Sequence, residues 1–245
     1  MEAGFSPGTG VRRIRLLGGN AHECGYLPDR NAQSMFVAPD EPLDNAVYGQ
    51  LVARGFRRSG RYVYRPDCAG CRACVPVRVA AMKFRPDRAQ RRCRRANRDL
   101  VVRTVGPAFD TEHFALYRRY LASRHPGGSM TDPSPSDYLN FLTSDWCDSA
   151  FMEFRLAGRA VAVAVYDPLP DGLSAVYSFF DPDLRRRGLG VYAVLRLIAL
   201  TRELGHEWLY LGYWIGASPK MRYKQRYRPQ QRLIDERWCD VECEG

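Results

Sequence analysis

The chain has no apolar run long enough to cross a membrane, because Arg196 interrupts its most apolar stretch. Its beginning, Val11-Arg12-Arg13-Ile14-Arg15-Leu16-Leu17, lacks the unbroken apolar core of a secretory signal. These two absences predict a cytoplasmic protein without membrane partners, whose eight cysteines are reduced or metal-bound rather than paired. There is no internal repeat. Histidine is scarce: His22, His113, His125 and His206 are scattered, with no catalytic pairing among them. Cys68, Cys71 and Cys74 have metal-ligand spacing, but no second Cys-x-x-Cys accompanies them, which excludes a standard zinc ribbon.

Acidic residues are sparse in two places. Residues 1–105 hold 20 Lys and Arg against 9 Asp and Glu, whereas residues 106–245 are nearly balanced, at 17 against 18. Ten of the cations fall between Arg78 and Arg103, opposed by Asp87 and Asp99 alone. Charge this concentrated suits a polyanion such as nucleic acid, although a solvated basic surface has the same composition. The second acid-free stretch runs from Trp208 to Ile234. The charge change suggests a basic, cysteine-bearing N-terminal subdomain over 1–105 and a second domain over 106–245.

The hydrophobic fraction is 45%, and 245 residues can bury one large core or two modest ones. Helical spacing predicts a helix within Leu43–Phe56, another over Glu112–Arg124, and a third carrying Val191, Val194, Leu195, Ile198 and Ala199. Ser136 or Asp137 is placed to cap a helix through Leu142. Strands are expected at Tyr62–Tyr64, Val75–Val79 and Val101–Val105. A hairpin is expected about Ala157-Gly158-Arg159, then strands at Ala175–Phe180 and Leu209–Ile215. Ser218 and Pro219 open a short helix that continues the basic cluster to Arg228. The class is α/β, in the α+β sense of a mixed sheet flanked by helices.

Chemistry concentrates in Ala175–Pro229. A strand ends at Asp181-Pro182, and Arg185-Arg186-Arg187-Gly188-Leu189-Gly190 then opens a helix. Gly188 and Gly190 permit close backbone approach to a ligand, the helix N-terminus offers free amides, and the arginines add fixed charge. This order of hairpin, strand, Arg-x-x-Gly-x-Gly, helix and strand resembles the GNAT acyltransferase fold. Several segments resemble the aminoacyl-tRNA–protein transferases more narrowly. These are His22–Pro28 (HECGYLP), Gly55–Gly60 (GFRRSG), Cys68–Val79 (CAGCRACVPVRV), Arg91–Leu100 (RRCRRANRDL), Ser178–Pro182 (SFFDP), Tyr210–Ile215 (YLGYWI) and Lys220–Pro229 (KMRYKQRYRP). They span nearly the whole chain in the family's order. Gly188 stands where the family pattern has Ser, and Gly127 where it has an acid.

The resemblance implies the bacterial branch, which moves leucine from leucyl-tRNA to proteins beginning with Asp or Glu and so marks them for degradation. The alternatives are transfer of arginine, an acetyl-CoA-dependent N-acetyltransferase, and a metal-containing RNA-binding module. An aminoacyl ester is already activated, so acyl transfer requires no cofactor. The acceptor α-amine titrates at about 7.7–8.0. The site must mainly align amine and ester and stabilise an oxyanion. On this reading Asp181 positions the amine or the terminal ribose, and Tyr177 and Tyr213 donate to the oxyanion or leaving hydroxyl. Asp before Pro is also a turn former, and strand tyrosines also pack. Arg185, Arg186, Arg187, Gly188 and Gly190, with Lys220, Tyr223, Lys224 and Arg226, are the expected aminoacyl-tRNA contacts, by phosphate pairing and base stacking. The same cations suit the carboxylate of an acidic N-terminal residue. Cys68, Cys71 and Cys74, with Cys24 or Cys93 as a fourth ligand, are the candidates for an iron–sulfur cluster or zinc, against reduced, packed thiols; Cys147, Cys239 and Cys243 look incidental.

Overall fold

A computed structural model describes residues 2–5, 12–124 and 132–241. His125, the loop expected at 125–128 and Cys243 lie outside them. In chain order, β1 (Glu2–Phe5), β2 (Arg12–Gly18), β3 (His22–Glu23), β4 (Asn31–Ala32) and β5 (Ser34–Val37) precede α1 (Asn45–Ala53). Next come β6 (Arg57–Ser59), β7 (Tyr62–Pro66), β8 (Val75–Ala80), α2 (Arg88–Ala96) and β9 (Val101–Val105). Helices α3 (Thr111–Arg124) and α4 (Pro135–Leu142) lead to β10 (Ala150–Leu156), β11 (Arg159–Leu169) and β12 (Gly172–Phe180). A 3-10 turn (Pro182–Arg187) enters α5 (Leu189–Glu203), followed by β13 (Trp208–Trp214) and the one-turn α6 (Pro219–Arg222). A second 3-10 turn (Tyr223–Arg226), β14 (Gln230–Ile234) and β15 (Arg237–Asp240) complete the described elements.

The helices start where side chains satisfy their first amides. Asp44 accepts from the Val47 amide at the head of α1, and Asp87 and Gln90 close a reciprocal capping box on α2. The cap of α4 is Ser134, two residues before the expected start. Pro135 takes the first helical position, and Asp137 is the returning acid of the box rather than the cap.

Eight strands form one mixed sheet in the order β15-β14-β8-β13-β12-β11-β10-β9. The hairpin of β10 and β11 continues antiparallel into β12, and α5 then crosses over to β13, which runs parallel to β12. Strand β8 lies between β13 and β14, and β9 pairs with β10. The change of charge at residue 105 is therefore not a seam in the sheet: two of its eight strands come from the basic half. A second, five-stranded sheet has the order β1-β2-β5-β7-β6, and β3 and β4 pair with each other as a separate ribbon.

Three cores flank this frame. Helix α5 packs Leu189, Val194, Leu197 and Ile198 with Val77, Phe154 and Leu209 of the sheet. Leu116, Tyr117 and Leu121 of α3 cluster with Tyr138 and Leu142 of α4 and with Phe151, Val163 and Phe179. The third core joins α1 and the small sheet to Leu169 and Tyr210. The two sheets are also tied by a buried ion pair. Arg58 of β6 donates to both carboxylate oxygens of Asp167 on β11, each at 2.7 Å, and also to the Leu142 carbonyl and Ser149 Oγ.

Candidate active site

Parallel strands β12 and β13 pair only from Gly172 to Ser174 against Trp208 to Tyr210. Beyond that point they part. The register also shifts in both strands' pairing with their other neighbours, between Val165 and Tyr166 and between Tyr210 and Gly212. A bulge bends its strand, and two bulges flanking a short parallel contact open a fork in the sheet. Ala175, Val176, Tyr177 and Ser178 of β12 are partly exposed along that fork.

Asp181 ends β12 and is 1% exposed. Its Oδ1 accepts from Arg119 at 2.8 Å and from the Asp183 amide at 3.0 Å, and its Oδ2 accepts from Arg159 at 2.8 Å. Burial works to raise this carboxyl. Hydrogen bonds from Arg159 and the Asp183 amide, with the charges of Arg119 and Arg159, outweigh that and hold it below the usual range. A carboxylate engaged in this way anchors the turn that carries the arginines, and both its oxygens are already occupied. Of the two sequence readings, the geometry on view is the turn former.

Gly188 adopts a left-handed conformation, φ 62°, and makes no side-chain cap bond to α5, so the first amides of that helix keep their capacity for an anion. Gly190 is needed for a different reason than expected. A Cβ there would meet the Phe180 ring at 2.9 Å, so the close approach is to the protein's own core. Next to this helix end lies a groove of about 280 Å³. It is lined by Arg92 and Cys93 of α2, by Arg186, Arg187 and Gly188, and by Arg226. Three basic segments that are far apart in sequence thus meet around one space. Arg187 is bound to Asp99 at 2.8 and 2.9 Å, and Arg226 lies 3.7 Å from Asp87. Among the described residues no acid pairs with Arg92 or Arg186.

The other expected residues separate. Tyr177 lies along the fork, in edge contact with Tyr117, Tyr120 and Phe141. Burial, and after it the neighbouring tyrosines, raise its phenol, which therefore stays protonated near neutrality. Tyr213 is buried, and its hydroxyl donates to the Gly55 carbonyl at 2.8 Å, which commits it to packing rather than to an oxyanion. The expected helix through Arg228 is broken into α6 and the 3-10 turn Tyr223–Arg226. Lys220 and Tyr223 are exposed, whereas Lys224 is 7% exposed and turns inward, donating to the Tyr213 carbonyl at 2.6 Å. Lys220 and Lys224 do not share a face. Burial first, then the charge of Arg57, hold the Lys224 ammonium down to about 7.

The thiols of Cys24, Cys68, Cys71 and Cys74 are neighbours. Burial pushes Cys74 up to about 11, and the charges that Cys68, Cys24 and Cys71 would carry add to it. Cys68 exchanges hydrogen bonds with the Gln33 backbone. Cys93 sits apart on α2, against the carbonyls of Arg187 and Gly188. Among the described residues no three His, Cys, Asp or Glu side chains are arranged to hold a metal ion. As arranged, the four cysteines do not form a coordination shell.

The family profile of arginine-tRNA-protein transferase, C terminus, matches residues 112–234, and that of the N terminus matches residues 22–92. The chain belongs to this transferase family. The two profiles together take in the fork between β12 and β13, Arg92, the arginine turn, and Cys24, Cys68, Cys71 and Cys74; β9, β15 and Cys93 lie outside them. Curated members include aspartate/glutamate leucyltransferase of Pseudomonas fluorescens (strain Pf0-1), 49% identical over 94% of this chain and 98% of that one. The protein of the same name from Thiobacillus denitrificans (strain ATCC 25259 / T1) is 49% identical over 94% of this chain and 96% of that one. Among solved structures, FemX overlays with a TM-score of 0.45 at 9% identity, over 81% of this chain and 79% of that chain.

Family resemblance picked out the segment Gly55–Gly60 without assigning its arginines a task. Arg57 and Arg58 are adjacent on β6, so their side chains point to opposite faces. Arg58 reaches Asp167. Arg57 reaches the base of the fork, where its Nη1 lies 3.4 Å from Ser174 Oγ. Two adjacent arginines in a segment that folds as buried strand were the available signal.

Proposed function

We propose that this protein transfers leucine from leucyl-tRNA to the N-terminal amine of proteins beginning with Asp or Glu. The observation that carries this reading is the near-complete, end-to-end match to aspartate/glutamate leucyltransferases at 49% identity. The geometry supports it. The groove between α2 and the arginine turn suits the phosphates at the acceptor end of a charged tRNA, with Arg92 and Arg186 as uncommitted cations. The fork between β12 and β13 gives the ester and the incoming amine a common opening.

The neutral α-amine attacks the leucyl carbonyl carbon. A C–N bond forms, the ester C–O bond breaks, and the ribose oxygen leaves with the proton the amine gives up. The ester supplies the driving force, so alignment and oxyanion stabilisation are the protein's share. Tyr177, protonated and lining the fork, is the side chain we assign as donor to the developing oxygen charge. Charged tRNA is a cytoplasmic substrate, and the reaction belongs in that compartment. Among the described residues no helix is long and apolar enough to cross a membrane.

Purified protein, leucyl-tRNA and a peptide beginning with Asp should yield a peptide heavier by one leucine residue. Arginyl-tRNA and acetyl-CoA serve as competing donors. Transfer of arginine in preference to leucine, or of acetyl instead of either, overturns the reading.

A further inference from the structure

Arg57 and Arg58 are buried to the same degree, 6% and 5% exposed, yet only one of them has an acid. Arg58 is satisfied by Asp167, a carbonyl and a hydroxyl. Arg57 has Nε and Nη2 buried without a hydrogen-bond partner. Its Nη1 has only the long contact to Ser174. A buried guanidinium with unmet donors is costly unless an anion completes it.

A second buried cation faces the same spot. Gly212 lies at the bulge of β13 with φ +79°, and the place its Cβ would take is 3.5 Å from Lys224 Nζ and 3.6 Å from Arg57 Nε. A Cβ at position 212 would occupy the space between the two nitrogens, in van der Waals contact with both. Glycine keeps that space clear, and it needs glycine anyway for the positive φ. The ionisable groups around Arg57 are Tyr48 of α1, Tyr64 of β7, Tyr210 and Tyr213 of β13 and Lys224, with Cys74 beside Lys224. The carboxylate of this neighbourhood, Asp167, also faces Tyr48, but both its oxygens are taken by Arg58. Two cations share a buried space at the base of the fork, and among the described residues no carboxylate is hydrogen-bonded to either.

We infer that Arg57 and Lys224 form the receptor for the side-chain carboxylate of the acceptor's first residue, and so determine its Asp/Glu specificity. The inference deepens the leucyl-transfer reading and rests on it for the direction from which the acceptor enters. The guanidinium offers Nε and Nη2 as a two-pronged donor matched to a carboxylate, and the ammonium adds a second charge. An amide of the same shape, Asn or Gln, would leave a donor facing a donor and both cations unbalanced.

The test compares peptides starting with Asp and with Asn, using wild type, Arg57→Gln and Lys224→Met. Steady-state transfer at fixed leucyl-tRNA should show wild type preferring Asp strongly. Arg57→Gln should lose about 100-fold in kcat/KM for Asp, mostly through KM, while transfer to Asn is little changed. Calorimetric titration of both peptides without tRNA reads the receptor separately, and wild type should bind the Asp peptide and not the Asn peptide. Binding without transfer would remove the leucyl-transfer reading and leave the receptor standing. Transfer with no preference between Asp and Asn, or an equal fall for both peptides in the variants, overturns the receptor. A rise in KM for leucyl-tRNA instead would mean that the anion is a phosphate of the donor, and overturns it as well. Should Arg57→Gln not fold, Lys224→Met, which removes the other buried cation and keeps most of its volume, carries the same comparison.

Discussion

Replacing Lys224 with Met removes a buried ammonium and keeps most of its volume. The side chain is 7% exposed and titrates near 7 in the folded protein, against an ordinary value of 10.5. The unfolded chain therefore holds this proton over a range where the folded chain has released it, and wild-type stability rises with pH from about 7 upward. Below pH 7 both states are charged and the whole penalty stands, about 5 kcal/mol at about 1.4 kcal/mol for each pKa unit. Linkage makes that penalty fall by about 2 kcal/mol between about pH 6 and about pH 8.5. Met carries no such penalty. The stability of the variant minus that of wild type should shrink by the same about 2 kcal/mol across this interval. The lost hydrogen bond to the Tyr213 carbonyl enters at both pH values and drops out of the comparison. So do Cys74 and Cys147, whose thiols burial pushes up to about 11 and about 12. Urea unfolding followed by tryptophan fluorescence at the two pH values measures the difference. A gap between the two proteins that holds constant with pH would refute the buried-ammonium argument.

Three further outcomes follow from geometry already described. Gly172→Ala would put a Cβ 2.0 Å from the Trp208 carbonyl, at the parallel contact below the fork, and should cost at least about 3 kcal/mol in the same unfolding assay. Arg92→Gln with Arg186→Gln should raise KM for leucyl-tRNA and flatten its log–log salt slope by about 1 to 2, leaving the acceptor KM unchanged; an unchanged slope would place the donor elsewhere. Burial raises Glu153, but Arg103, Arg155 and His113 outweigh it and hold the carboxyl at about 2. Its stabilisation, about 3 kcal/mol, is therefore complete above about pH 5 and lost as pH falls toward 2, and Glu153→Gln should abolish that acid limb.

Elements held by local patterns were legible beforehand. Of the periodic face of α5, Val194, Leu195 and Ile198 are buried, Val191 packs beside them and Ala199 lies outside the core, and Ala157-Gly158 did turn a hairpin. Contacts between distant segments were not. The acid-free basic run reads as a row of outward tRNA contacts, whereas Lys224 turns inward because the Tyr213 carbonyl lies behind it. Asp181 has its partners 62 and 22 residues away, on α3 and β11, so spacing along the chain carried no sign of the clamp. The groove was visible as three separate basic segments and became one site only when α2, the arginine turn and Arg226 were brought together.

The position of β8 has a consequence for synthesis. Its residues pair with Trp208–Trp214 on one side and with Gln230–Arg232 on the other. A ribosome makes this strand, which ends at Ala80, well before either neighbour, since β13 begins only at Trp208 and β14 at Gln230. Closing so long a loop is slow, and until it closes both edges of β8 are open to other chains. The nascent protein therefore emerges with an unpaired strand flanked by its basic and cysteine-bearing segments, and assembly of the sheet waits on β13 and β14. A truncation that removes only β14 and β15 should leave that edge permanently exposed and the product prone to aggregate.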